Sequence, residues 1–388
     1  MSTPARLLYL HIGLPKTGTT SIQDILWRNR RIAAAAGLLY PGHDPAAHHR
    51  AAVDALPERY PGWVDDATEG AWHWLVDQVK AWSGNALISS ELLALARPDA
   101  VARTMAALDG IEVHLVCTAR DLVRQIPSVW QEDVKNRRTT PYDEFVRFVR
   151  AGRDEEIADL FWSYQDLPGV LANWGAGLPP ERVHVITVPP RGASSDLLWQ
   201  RYASVIGVEA DRFDTTVPPT NSSLDLVQTE MLRRLNLAVG ESIPWPEYVR
   251  VVKGELAEDV LPPLRGRTAI TLPAADQDWA VERAHQSVAA IEAAGYHVVG
   301  DLGDLVPRSS DPTTEPPVIG DAEVAETAVR TLAEIMRRAA RPAAGDAPIA
   351  PGLRKRLVDL SEQHDELMAM RRMYRRTKAR LRNARRRG

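Results

Sequence analysis

Four short apolar runs set the first limit on what this chain can fold into: RLLYLHI (6–12), ALISS (86–90), EVHLVCT (112–118) and RVHVITV (182–188). A strand with one face in water alternates apolar and polar residues. A strand covered on both faces need not, and these runs are β-branched or leucine-rich with little alternation. Segments of helical character lie between them. TTSIQDILWRNRRIAAAA follows the first run, with Ile22, Ile25, Leu26 and Ile32 near helical spacing. PDAVARTMAAL precedes the third, with Pro98 and Asp99 suited to a helix start, and LVRQIPSVWQEDVKN follows it. This alternation predicts an α/β domain built on a doubly wound parallel sheet flanked by helices.

Further along, SSLDLVQTEMLRRLNLAV reads as a helix, LPPLRGRTAITLP as a loop and DWAVERAHQSVAAIEAAG as a second helix. PRSSDPTTEPP (307–317) has the composition of a linker. A helix over about 321–341, a second linker RPAAGDAPIAPG and a final long helix complete the chain. No internal repeat is visible. The expected organisation is a domain over 5–306, a linker with a short helix over 307–352, and a basic coiled-coil-like helix over 353–388.

The first strand runs into GLPKTGTTS, Gly13 to Ser21. Gly13 and Gly18 have the G-x-x-x-x-G spacing of a phosphate-binding loop, and a strand-to-helix turn aims backbone N–H groups and a helix N-terminus at a phosphate. A nucleoside-triphosphate loop continues with Lys and then Ser or Thr. Here Thr19 stands where that lysine belongs, and the lysine, Lys16, lies inside the loop. Such a lysine can stabilise charge on a bridging oxygen as a group leaves the bound phosphate. That suits a donor with no γ-phosphate and no obligatory metal.

PKTGTTS resembles the 5′-phosphosulfate loop of the sulfotransferases that use PAPS (3′-phosphoadenylyl sulfate). That family has a second marker: an arginine ending a strand, and a serine eight residues on in the next helix. VHLVCTARDLVRQIPSVW supplies Arg120 and Ser128 at that spacing. NSSLDLVQTEMLRRLN and GYHVVGDLGDLVP are similar to the C-terminal region of bacterial members, so the resemblance spans about 5–306. It implies a P-loop-type α/β fold and a sulfuryl transfer from PAPS, with no metal required. It implies that Lys16, Thr17, Gly18, Thr19, Thr20 and Ser21 hold the 5′-phosphosulfate. Arg120 and Ser128 would hold the 3′-phosphate, the planar guanidinium pairing with phosphate oxygens. The acceptor would be a hydroxyl or amine, with a carbohydrate or glycolipid implied by analogy alone.

Transfer also needs a base. Relatives use a histidine or a glutamate. Glu91, at the C-terminal end of the second run, would face the ligand crevice of an open α/β sheet; alternatively it is a first-turn acid of the next helix. His11, in the first strand, is the rival, against an ordinary reading as a core residue. HDPAAHHR carries His43, His48, His49 and Arg50 without a metal-ligand spacing and reads as a solvated loop. Trp162, Tyr164 and Trp174 read as helix packing rather than a sugar platform. Two other functions remain open: a P-loop phosphotransferase using ATP, weakened by Thr19 and by the lack of a clear acidic metal ligand after an apolar strand, and a non-catalytic nucleotide-binding module acting through the basic tail.

Bulk properties narrow the setting. No apolar run approaches the roughly 18 residues that span a bilayer, and the N-terminal run reads as a buried strand rather than a leader. The one cysteine, Cys117, lies in an apolar run and reads as a packed thiol. A cytoplasmic protein is expected. From Leu353 onward there are 13 Lys/Arg against 4 Asp/Glu, a net of +9; with −4 for the whole chain, the preceding 352 residues carry −13. An acidic body is not a nucleic-acid-binding core, and an anionic ligand of it must be held by local donors.

In the tail, Leu353, Leu357, Leu360, His364, Leu367, Met370 and Tyr374 recur in steps of three and four, a coiled-coil-like seam. Ten Lys/Arg and no acid follow between Arg371 and Arg387. Three heptads are short for a free helix, so the seam is expected to pair with a second copy or dock on the body. The basic end could lie on an anionic membrane face, each cation adding about 1 kcal/mol, or be a passive solvated end. Deleting residues 353–388 is expected to reduce the mass seen by light scattering or the low-salt sedimentation with anionic vesicles. A full-length chain that is monomeric and ignores such vesicles would remove both active readings.

Overall fold

Successive residues of a strand point to opposite faces, so a run that is apolar throughout needs two apolar layers to bury it. A computed structural model of the chain describes residues 6–340, apart from 62, 64, 154, 217–222, 267 and 308–318. In it the four runs form β1 (Leu7–His11), β3 (Asn85–Ser89), β4 (Glu112–Ala119) and β5 (Val183–Thr187). Two short edge strands, β2 (Leu38–Leu39) and β6 (His297–Val299), complete one sheet in the order β2-β3-β1-β4-β5-β6. All neighbours are parallel; Leu10 pairs with Ile88 on one side and Leu115 on the other.

Both faces are covered. Leu8, Leu10, Leu115, Cys117 and Val185 pack with Leu75, Leu171 and Trp174. Tyr9, Leu87, Val116 and Ile186 pack with Ile22, Leu26, Trp199 and Tyr202 on the opposite face. Each such buried side chain contributes roughly 1.5–3 kcal/mol. A third core is helical: Trp130 and Val134 of the Leu122–Lys135 helix meet Phe145, Phe161, Leu232 and Tyr248.

The helix expected after β1 is two helices, Thr19–Arg28 and Arg30–Ala35. Buried Asn29 separates them. Its Nδ2 donates to the carbonyls of Ile25 and Asp214, both at 2.9 Å, and its Oδ1 accepts from the Asp214 N–H at 3.0 Å. A side chain that bonds nearby backbone competes with the helix in this way. The helix Leu226–Val239 starts at a capping box, Asp225 with Gln228. Helices Ala274–Ala294 and Asp321–Ala339 appear where the sequence indicates them. Val249–Val260 is a π-helix, which the sequence does not announce.

The segment HDPAAHHR corrects the expectation of a solvated loop. Its second half opens the helix Ala47–Ala55, and His48 is buried. β2 ends beside Ala86, which leaves the later N–H groups of β3 without a strand on that side. His48 supplies a partner: its Nδ1 accepts from the Ser89 N–H at 3.1 Å, and its Nε2 donates to the Pro41 carbonyl at 2.7 Å. A buried backbone donor without a partner is costly, so this histidine completes the sheet.

The chain divides into two units, residues 1–331 and 332–388. Of the second, only 332–340 are described, as the end of the Asp321–Ala339 helix. The tail seam over 353–388, the second linker and nearly all of the first lie outside the described residues. Among the described residues no helix is long and apolar enough to cross a membrane.

Three buried histidines make stability depend on acid. Burial lowers His11 to about 3. Burial lowers His48 to about 4 against the opposing bond to Pro41. Burial, with His114 and His297 beside it, lowers His184 to about 4. Each folded value lies below the unfolded 6.5, so the unfolded chain takes up protons that the folded chain refuses. Their full contribution is therefore present above about pH 6.5 and is lost as pH falls toward 4, at up to about 1.4 kcal/mol per pH unit for each histidine. Urea melts from pH 8 to pH 4.5 should show the midpoint falling below pH 6.5; a flat midpoint between pH 7 and 5 would contradict neutral buried imidazoles.

Candidate functional site

The loop between β1 and the Thr19–Arg28 helix lies at the C-terminal edge of the sheet, where open α/β sheets bind ligands. Three of its residues have left-handed backbone: Gly13 (φ 58), Lys16 (φ 68) and Gly18 (φ 90). A Cβ on Gly13 would come within 2.6 Å of Thr19 Cγ2 and 3.0 Å of Glu91 Cβ, so the close approach of the loop to Glu91 depends on this glycine. Lys16 has a Cβ and bears a cost on the order of 1 kcal/mol for its turn. The helix starts at Gly18 with no side-chain cap, leaving first-turn N–H groups available to a ligand.

A polar seam fixes the loop from below. The Thr17 hydroxyl bonds the Leu14 carbonyl (2.5 Å) and the Thr118 hydroxyl (2.6 Å). His11 Nδ1 meets Ser89 Oγ at 2.8 Å, and its Nε2 lies 3.4 Å from Thr118 Oγ1. The Pro15 carbonyl accepts from Gln125 and Gln165. The Thr17 side chain is therefore packed away from the cleft; Thr19 is also buried but reaches the lining, together with Thr20 and Ser21. His11 has no exposed surface and is absent from the cleft lining.

A cleft of about 780 Å³ opens above the loop. Lys16, Gly18, Thr19, Thr20, Ser21, Glu91, Arg120 and Ser128 all line it, so eight positions singled out in the sequence converge on one cavity. Arg120 Nη1 lies 3.4 Å from Ser128 Oγ and 3.3 Å from the Lys16 carbonyl. Its Nε is buried without a hydrogen-bond partner among the described residues. Burial, then the neighbouring Arg124, lowers Arg120 to about 10 against the pull of Asp121, so the guanidinium stays charged at neutral pH. Arg124, by contrast, pairs with Asp121. Glu91 opens the 3-10 turn Glu91–Leu95 and also faces the cleft, where its Oε2 accepts from Gln23 Nε2 at 3.0 Å. Glu91 is thus a first-turn acid whose side chain also lines the cleft.

The histidines of HDPAAHHR separate. His43 lies against Trp74, His48 faces the core, and His49 enters the cleft and stacks near Trp63. Burial lowers His49, opposed by Glu91 and reinforced by Lys253 and Arg50. Trp162 and Trp174 are core residues, whereas Tyr164 lines the cleft. Among the described residues no group of three or more His, Cys, Asp or Glu is placed to hold a metal ion.

The sequence offers no signal for the rest of the lining. Glu132 lies between two cations: its Oε2 is 3.1 Å from Lys16 Nζ and its Oε1 2.8 Å from Lys253 Nζ. Burial works to raise the Glu132 carboxyl, but Lys16 and Lys253 outweigh it and hold the group well below the usual range. The next residue goes the other way: burial, with Glu132 adjacent and Arg138 opposing, raises Asp133 to about 7. Tyr60 and half-exposed Trp63 form an aromatic side of the cleft. Lys253 comes from the π-helix and Trp63 from a distant loop, so no local spacing connects them to the β1 loop.

The arrangement can hold an anion at a helix N-terminus, with Lys16 and Arg120 as cations and Glu91 as a carboxylate within the same cleft. Comparison with family models, with curated proteins and with solved structures finds no match.

Proposed function

We propose that this chain is a PAPS-dependent sulfotransferase. The observation that carries the reading is Arg120 beside Ser128 at the loop, with a buried guanidinium that touches the Lys16 carbonyl and forms no ion pair among the described residues. A cation left in this state suits a phosphate group. Thr19, packed against Gly13 where a triphosphate loop carries its lysine, favours a donor without a γ-phosphate. First-turn N–H groups, Thr20 and Ser21 bind the 5′-phosphosulfate, and Arg120 and Ser128 bind the 3′-phosphate.

In the transfer, the acceptor oxygen or nitrogen bonds to sulfur as the bond from sulfur to the bridging phosphate oxygen breaks. The electron pair stays on that oxygen, where Lys16 stabilises it. Glu91 takes the acceptor's proton. The products are the sulfated acceptor and adenosine 3′,5′-bisphosphate. His11, neutral and sealed beneath the loop, holds the strands together rather than acting as base. A cytoplasmic enzyme fits the single thiol, Cys117, which is buried.

Titration calorimetry tests the donor. Adenosine 3′,5′-bisphosphate should bind without metal and more tightly than 5′-AMP, and Arg120→Ala should weaken it by roughly 1.5–3 kcal/mol, the range for bonds to charged groups. Equal affinity for the two nucleotides, or a preference for ATP with a divalent cation, would overturn the reading.

Steady-state kinetics with PAPS tests the chemistry. Lys16→Ala should lower kcat more than it raises the donor KM, because its charge matters most as the leaving oxygen becomes anionic. Glu91→Gln should depress kcat and leave bisphosphate affinity intact. Full turnover by Glu91→Gln would remove Glu91 as the base.

A further inference from the structure

Glu132 lies one helical turn beyond Ser128 on the Leu122–Lys135 helix, so its carboxylate sits on the same side as the serine that would meet a phosphate. Its two oxygens go to two lysines from distant parts of the chain, Lys16 of the loop and Lys253 of the π-helix. Lys253 also donates to Asn136 Oδ1 at 2.7 Å. All three charged side chains are about three-quarters covered: Lys16 and Glu132 are 26% exposed and Lys253 25%. The carboxylate thus stays ionised beside a site built for anions.

That arrangement has a physical consequence. A fixed negative charge opposes an incoming anion, and Lys16 is engaged with that charge when the loop is empty. For Lys16 to serve an anion it must turn from Glu132, which would leave a covered carboxylate unpaired, a costly state. Lys253 prevents this, because it holds the other oxygen. We infer that Glu132 is a positioning residue that parks Lys16 when the loop is empty, and that Lys253 is the counter-ion that keeps Glu132 paired when Lys16 turns to a bound anion. This rests on the reading of the loop as an anion site. It also ties occupancy of the loop to the π-helix, through a cation that need not touch the donor.

A double-mutant cycle tests it, with adenosine 3′,5′-bisphosphate as the probe in calorimetry and thermal melts to confirm folding. Glu132→Gln should bind the bisphosphate about fivefold more tightly, since it removes the opposing charge and releases Lys16. Lys253→Met should bind about fivefold more weakly, since the whole carboxylate then falls to Lys16. In the Glu132→Gln background Lys253→Met should change affinity by less than about twofold, the coupling expected of residues in one charge network. Weaker binding by Glu132→Gln would overturn the inference. So would an equal effect of Lys253→Met in both backgrounds, which would mean that the lysine acts directly on the anion. Should Glu132→Gln unfold, Glu132→Met with Lys253→Met, which replaces the pair by apolar side chains, serves instead and should bind more tightly than Lys253→Met alone; no gain overturns the inference. If the bisphosphate fails to bind and ATP binds, the donor reading falls and the same cycle is run with ATP. If bisphosphate, ATP, pyrophosphate and sulfate all fail, the loop holds no anion and both readings fall.

Discussion

One buried imidazole joins the sheet to the site above it. His11 ends β1 at the centre of the sheet, hydrogen-bonded to Ser89 on β3 and near Thr118 on β4, and Thr118 carries the bond to Thr17 in the loop. Three strand ends and the loop therefore share one polar seam. It lies at the end of an apolar sheet with both faces covered, beneath the loop, where unpaired polar atoms are expensive and bonded ones are held firmly. Burial keeps the imidazole neutral. The backbone of the loop, with its left-handed turns, rests on this base, and so do the directions of its N–H groups.

Above the seam the electrostatics are local. The body is acidic as a whole, yet Lys16, Arg120, Lys135 and Lys253 line one cleft. Exposed charges farther away are screened over about 10 Å at ordinary ionic strength, whereas covered neighbours are screened much less. The balance inside the cleft therefore decides what it holds. Arg124 is matched by Asp121, while Arg120 beside it has no ion pair among the described residues and its Nε no hydrogen-bond partner among them. Glu132 and Asp133, adjacent in sequence, are driven in opposite directions because lysines surround the first and burial governs the second. A helix wall with one carboxylate held charged and the next shifted to about 7 presents two kinds of acid to one cavity.

The central strands were legible because burial on both faces leaves a continuous apolar run. The edges were not. β2 has two residues and β6 three, too short to show any period, and His297 is exposed. His48 misled for a different reason. A histidine among other histidines and alanines reads as solvated, and its burial is balanced by partners at positions 41 and 89 that sequence does not bring together. The π-helix gave no warning in VRVVKGELAEDV, which has ordinary helical composition.

What the sequence by itself determined is the parallel α/β core and the strand–loop–helix turn; the pairing of Arg120 with Ser128 was expected from the family resemblance. The core and the turn follow from continuous apolar runs and from the helical repeat, which act over a few residues and are written in the order of side chains. Tertiary structure alone decided that His11 lies beneath the cleft and that His49, Tyr164 and Lys253 border the same space as Glu91. It alone brought Glu132 to Lys16, 116 residues away, and to Lys253, 121 residues away. Charge interactions depend on distance and on exclusion of water, and both are set by the packing of separate elements rather than by any local pattern.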